Sequence, residues 1–273
     1  MASEETDYLL GTHDQEVARL GLQHRVWCPR VLDAWRRAGV TEGLRVIDAG
    51  AGPGWASLDL AEIVGAEGQV IALERSRRFL DHLNSASRQR GLSSVVRTHN
   101  LDLVTDTLPI SNADGFWIRW VLAFVTDPAA VLAKLAAALK PGGIGVIHEY
   151  LDYRSWSMAP AAPAQEAFRE FVISDWRASG GEPDIGRSLP ALLPAAGLRI
   201  RELRPIVDVV GPTNYVWQWP ASFLKSYPEH LIEAGKVDRA WADQIQSEFR
   251  ALEANPASVM VTPMVLEVIV EKV

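Results

Sequence analysis

The side chains best placed to do chemistry fall in two clusters. Residues 45–55 read R-V-I-D-A-G-A-G-P-G-W, an acid (Asp48) followed by Gly50, Gly52 and Gly54 alternating with small residues. Such a turn lets backbone pass close under a nucleotide-like ligand, where any Cβ would push the ligand away, and it admits positive φ. The dinucleotide fingerprint G-x-G-x-x-G would need glycine at position 55, where Trp55 stands, which disfavours nicotinamide chemistry. The second cluster is His148, Glu149 and Tyr150, with Asp152 and Tyr153 just beyond. A histidine or carboxylate at a strand end can take a proton from an attacking hydroxyl or amine, since either can be tuned toward neutral pH. The other reading of such a histidine is a satisfied structural group.

These clusters need elements to hold them. Val46 and Ile47 form a short β-branched run into Asp48, and residues 55–63 carry helical spacing, so the glycines sit in a strand–turn–helix. A second strand, 69–74, ends at Glu74, and Arg75 follows it. After a helix over 76–90, a third strand (95–100) leads into Leu101, Asp102 and Leu103. A fourth strand, 115–119, delivers Arg119 and Trp120 to the carboxyl edge, where open α/β sheets bind ligands. A helix begins at Asp127-Pro128, and the fifth strand is expected at 144–147.

At the N-terminus, residues 1–12 read as an arm bearing Tyr8. Val17, Leu20, His24, Trp27 and Val31 share one face of a helix over 14–38, which Pro29 is expected to kink or split. Past residue 150 the alternation of strand and helix is interrupted. An Ala/Pro-rich piece and a helix (165–179, carrying Trp176) precede a helix at 186–196 and a sixth strand at 198–210. An aromatic-rich insertion follows, and a last strand at 259–270 is expected antiparallel at or near one edge, with Pro263 marking its start or a bulge.

The D-x-G-x-G-x-G turn, the acid closing Q-V-I-A-L-E and the later L-K-P-G-G-I-G-V-I together resemble the class I S-adenosylmethionine-dependent methyltransferases, small-molecule type. The resemblance carries specific motifs over residues 40–150 and only a general plan elsewhere. It implies a Rossmann-like, doubly wound, mostly parallel seven-stranded α/β sheet with an antiparallel last strand and a helical cap. The implied organisation is a lid at 1–39, a cofactor-binding core at 40–150, a cap insertion at 151–185, core again at 186–211, a second insertion at 212–258 and the last strand at 259–273. The implied cofactor is S-adenosyl-L-methionine. Asp48 would organise the turn, Glu74 would offer two acceptors to a ribose diol, and Asp102 (with Asp106 as competitor) would accept from the adenine amino group while Leu103 meets the ring. Arg75 and Trp120 border the same site. Arg119 would hold the methionine carboxylate, a substrate acid or a neighbouring acid. Tyr8, Arg19, Gln23 and Trp27 are candidate lid contacts, unless that stripe simply faces water. His148 and Glu149 are the catalytic candidates, and Trp27, Tyr150, Tyr153 and Trp176 the acceptor-binding ones.

Composition sets limits on this reading. With 273 residues, 48% hydrophobic and 22% charged, the chain can bury a sizeable core. A net charge of −7 argues against a nucleic-acid partner, which calls for a basic face, and no Asn/Asp-Pro-Pro-aromatic motif is present. One cysteine, Cys28, excludes internal disulfides and multi-cysteine metal sites, and no compact His/Asp/Glu spacing points to a metal. The absence of a long apolar run and of a signal-like N-terminus leads us to expect a cytoplasmic protein without a membrane partner. The expected reaction is methyl transfer to an oxygen, nitrogen or carbon of a small molecule. A non-catalytic cofactor-sensing or interaction module is the alternative, with the aromatic cap then serving as a partner or homodimer surface.

Overall fold

The computed structural model describes residues 14–273. Tyr8 lies outside them. The core is a seven-stranded sheet whose strands are, in chain order, β1 (Arg45–Ala49), β2 (Gln69–Glu74), β3 (Val96–Asn100), β4 (Ala113–Arg119), β5 (Leu139–Asp152), β7 (Leu198–Ile206) and β10 (Met264–Lys272). Spatially they run β3-β2-β1-β4-β5-β10-β7. β1 through β5 pair in parallel, and β10 is antiparallel to both neighbours. The last strand is therefore wedged between β5 and β7, and β7 forms the edge.

Side chains alternate between the two sheet faces, as the period of two requires. Val46, Val70 and Ala72 pack toward α1 (Asp14–Ala38), α2 (Trp55–Val64) and α3 (Arg77–Gln89). Ile47, Ile71 and Leu73 pack toward α4 (Pro128–Ala138) and α6 (Leu189–Ala195). Helix starts follow local chemistry. Asp127 accepts from the Ala130 N–H at 2.9 Å with Pro128 in the first turn, and Ser76 caps α3 through the Phe79 N–H.

Three expectations change. Pro29 lies inside an unbroken α1, because side chains pin that helix on both sides of it: His24 bonds Asp59 before it, and after it Arg30 forks onto Asp208 and Arg37 bonds Glu202 and Glu267. The run 259–270 is two strands. Pro263, which has no N–H to give a ladder, separates β9 (Val259–Val261) from β10. β9 joins β6 (Ser157–Ala159) and β8 (Val209–Val210) in a small antiparallel sheet under the cap, which also shortens the expected sixth strand. Lastly, β5 runs on to Asp152, because β10 pairs with it as far as the Met264–Asp152 partners.

The cap consists of α5 (Pro163–Ala178), α7 (Gln218–Glu233) and α8 (Arg239–Ala254). Its Trp156, Phe168, Trp176, Trp217 and Phe249 are buried in the cluster that also holds Trp27 and Trp35 of α1. Cap and core thus share one apolar interior. No described helix is long and apolar enough to cross a membrane.

Candidate functional site

At the carboxyl edge of β1, β2 and β4 lies a cavity of about 340 Å³. Its floor is the glycine turn. Gly52 has φ +54° and an added Cβ there would meet no protein atom within 4 Å, so the space above it is left for a ligand. The other two glycines serve packing: a Cβ on Gly50 would come within 2.3 Å of Val121, and one on Gly54 within 2.3 Å of Leu83. The reason for glycine expected from the sequence therefore holds at Gly52, while Gly50 borders the cavity and Gly54 does not line it.

Carboxylates ring this floor. Glu74 accepts from the Gly52 N–H at 2.9 Å through one oxygen and from the Ser76 N–H at 2.8 Å through the other. It is 8% exposed, and burial raises its carboxyl above the ordinary value despite those two bonds. With four lone-pair sites in all, the carboxylate keeps capacity for a ligand hydroxyl. Asp48 accepts from Ser57 Oγ at 2.5 Å, and burial pushes it up to about 6. Asp102 lines the cavity while its Oδ1 closes a turn by accepting from Val104 and Thr105; Asp106 accepts from the Asp102 N–H and does not line the cavity. Arg75 and Leu103 are also in the lining.

Arg119 is the cation of the site. Burial pushes its guanidinium down to about 10 against the pull of Asp48, so it remains charged at neutral pH. It lies beside the rings of Trp117 and Trp120, its Nη2 meets His24 Nδ1 at 3.1 Å, and its buried Nη1 has no partner among the described residues. An orphaned guanidinium N–H facing such a cavity calls for an anionic ligand group.

A second, smaller chamber of about 40 Å³ adjoins the first. Leu20, Gln23, Trp120 and Phe124 line both. Tyr150, Tyr153 and Trp176, expected at the acceptor, line this chamber, and Trp156, Trp219 and Phe223 join them. The rings of Trp120, Tyr150 and Trp219 lie nearly parallel, Trp120 at 5.5 Å from each of the others and those two 6.5 Å apart, and the Trp120 φ of +51° is an outlier for so bulky a residue. Arg19 also borders the chamber, held by Glu16 at 2.6 and 2.7 Å and by Gln23 at 3.1 Å. The stripe of α1 with Arg19 and Gln23 therefore faces inward.

His148, Glu149 and Trp27, expected at the site, line neither of the two cavities. The extension of β5 makes His148 and Glu149 interior strand positions with no exposure. Burial holds the His148 imidazole neutral, so Nε2–H donates at 2.9 Å to a Glu267 carboxylate that Arg37 keeps charged. Glu149 accepts the Val121 and Leu122 N–H groups, both at 2.8 Å, and thereby shapes the loop beside Gly50. In this structure both side chains hold neighbouring groups in place. Trp27 is likewise fully buried, edge-on to Trp120 and Trp219, and backs the chamber without lining it.

The fold also gathers His24, Cys28 and Asp59, whose ligand atoms lie within 4.8 Å of one another. Arg119 can only donate, so it fixes His24 Nδ1 as an acceptor and leaves the proton on Nε2, which gives it to Asp59 at 2.8 Å. That tautomer satisfies the group without a metal. Spacing within α1 could have suggested His24 with Cys28; nothing local pointed to Asp59 or Arg119.

A glycine turn between β1 and α2, an acid closing β2, an open sheet with an antiparallel penultimate strand, and a cap over the carboxyl edge define the class I S-adenosylmethionine-dependent methyltransferase fold. Residues 46–143 match the family model described as a methyltransferase domain. It is 31% identical over 153 residues to a 2-phytyl-1,4-naphthoquinone methyltransferase of Synechococcus elongatus, covering 56% of this chain and 61% of that protein. With the ubiquinone/menaquinone biosynthesis C-methyltransferase UbiE of Serratia proteamaculans it shares 27% over 150 residues, 55% of this chain and 57% of the relative. The chain thus spans about three-fifths of these relatives. Among solved structures, the [4+2]-cyclase SpnF superposes with a TM-score of 0.60 at 18% identity, over 89% of this chain and 80% of that one. A geranyl diphosphate methyltransferase in complex with S-adenosylmethionine superposes at 0.56 and 14% identity, over 92% and 87%.

Proposed function

We propose that this protein transfers the methyl group of S-adenosylmethionine to an oxygen, nitrogen or carbon atom of a small molecule. The observation that carries the reading is the 340 Å³ cavity, whose open Gly52 floor, Glu74 carboxylate and orphaned Arg119 guanidinium suit a ligand bearing hydroxyls and an anionic group. S-adenosylmethionine supplies a methyl group on a sulfonium centre that is already activated for attack. The chain's own part is then to align and to exclude water. Glu74 would hold the ribose hydroxyls, Asp102 and Leu103 the adenine, and Arg119 the methionine carboxylate. Trp120 and Phe124 would separate that ligand from an acceptor in the aromatic chamber. Among the described residues Tyr150 and Tyr153 are the chamber's candidate proton-transfer groups, and burial keeps Tyr153 protonated. An acceptor atom nucleophilic without base assistance suits it best.

Because a cyclase shares the fold, binding and turnover need separate tests. At about 100 times its dissociation constant, S-adenosylhomocysteine should add roughly 2.7 kcal/mol of stability, a rise on the order of 5–10 °C, while NADH adds none. Release of S-adenosylhomocysteine during incubation with candidate acceptors measures transfer. Glu74→Ala should weaken S-adenosylhomocysteine at least ~10-fold by calorimetry, with Glu74→Gln intermediate. Undiminished affinity in both variants removes Glu74 from the site. Stabilisation by NADH alone overturns the reading.

A further inference from the structure

We propose that His24 and Asp59 are positioning residues for recognition of the ligand's carboxylate: a hydrogen-bonded relay from Asp59 through His24 fixes the orientation in which the Arg119 guanidinium meets that group. This rests on the methyl-transfer reading and adds the residues that aim its cation. Arg119 lines the large cavity, whereas His24 of α1 and Asp59 of α2 do not. Among the described residues His24 is the one hydrogen-bond partner of Arg119. Nη2 donates to Nδ1 at 3.1 Å, and the buried Nη1 is left for a ligand. A guanidinium is a rigid planar fork, so an acceptor that holds one terminal nitrogen also fixes the direction of the other. The rings of Trp117 and Trp120, 5.6 and 5.1 Å away, offer π faces and N–H donors but no in-plane acceptor that could take the place of His24.

The kind of acceptor matters. A carboxylate in the place of His24 would steady Arg119 and also neutralise it. Burial, outweighing the pull of Asp59, keeps the His24 imidazole neutral, so it steadies the guanidinium and leaves the charge for the ligand. A neutral imidazole has one donor and one acceptor, and only the Nε2–H tautomer presents a lone pair to Arg119. Asp59 holds that tautomer by accepting from Nε2 at 2.8 Å. A histidine that only filled space would be indifferent to the ligand's carboxylate.

The test compares two nucleosides by calorimetry: S-adenosylhomocysteine and its decarboxylated counterpart, which lacks only the carboxylate. The native protein should prefer the first by about tenfold or more. His24→Phe, which keeps a ring and removes the acceptor, should weaken S-adenosylhomocysteine about fivefold to tenfold and the decarboxylated ligand less than twofold. His24→Asn sets an amide oxygen where Nδ1 stood and should recover most of the loss. In Arg119→Met the preference should vanish, and adding His24→Phe to it should change neither affinity further. Equal weakening of both ligands, an Asn variant no better than Phe, or additive losses in the double variant overturns the proposal. If His24→Phe folds poorly, the imidazole ¹⁵N spectrum of the unmodified protein decides. A proton on Nε2 and an Nδ1 resonance that moves with S-adenosylhomocysteine alone support the relay; a proton on Nδ1, or an unmoved Nδ1 resonance, overturns it. A native protein that binds both nucleosides without preference defeats the relay alone, and one that binds neither defeats the methyl-transfer reading itself.

Discussion

Glu149 shows how far a side chain's role depends on its depth. Burial pushes its carboxyl up to about 8, although the N–H groups of Leu122 and Val121 favour the charged form. In the unfolded chain the group ionises near its ordinary value of 4.5. Because the folded value is raised, its contribution to stability is complete below about 4.5 and is lost as pH rises toward 8. Between pH 5 and 8 the native protein should lose roughly 3 kcal/mol through this group, and Glu149→Gln, which keeps the accepting oxygen, should lose much less. Thermal melts across that range read the difference, on the order of 5–10 °C; parallel curves would mean that Glu149 ionises in the fold. The glycines separate packing from binding in the same way. Gly54→Ala, at φ +87° and against Leu83, should destabilise by about 2–4 kcal/mol. Gly52→Ala should cost stability only about 1–2 kcal/mol through its φ, and show its main effect as weaker S-adenosylhomocysteine binding.

At the scale of elements, β5 divides what the sequence discloses from what it withholds. The strand–turn–helix from Val46 through Gly54 to Trp55 is legible because all its determinants are local: β-branched run, glycine spacing, helical period. Glu74 at the end of β2 follows for the same reason. The end of β5 is set by β10, more than a hundred residues later, and no local signal shows that pairing, so His148 and Glu149 read as edge residues when they are interior ones. The chamber is harder still. Its walls come from α1, the β4 loop, the end of β5, α5 and α7, and periodicity marks an aromatic as buried without telling which cavity it borders. His148→Ala follows from the strand's true extent. Stability should fall by about 2–4 kcal/mol as a packed ring and its bond to Glu267 vanish, with S-adenosylhomocysteine affinity within twofold of the native value. A loss of affinity with unchanged stability would return His148 to the site.

Across the whole molecule, one helix roofs both cavities. Leu20 and Gln23 of α1 border each of them, while Arg30 and Arg37 tie the far end of the helix to Asp208, Glu202 and Glu267. The anchored end cannot follow a displacement at the roof, so a ligand that settles the roof over one cavity also settles it over the other. The two occupants are then thermodynamically linked, and the linkage is reciprocal: whatever factor S-adenosylhomocysteine contributes to the affinity for an occupant of the second chamber, that occupant must return in equal measure. Cooperativity of this kind needs no contact between the two molecules, and it would make filling of one cavity a signal to the other.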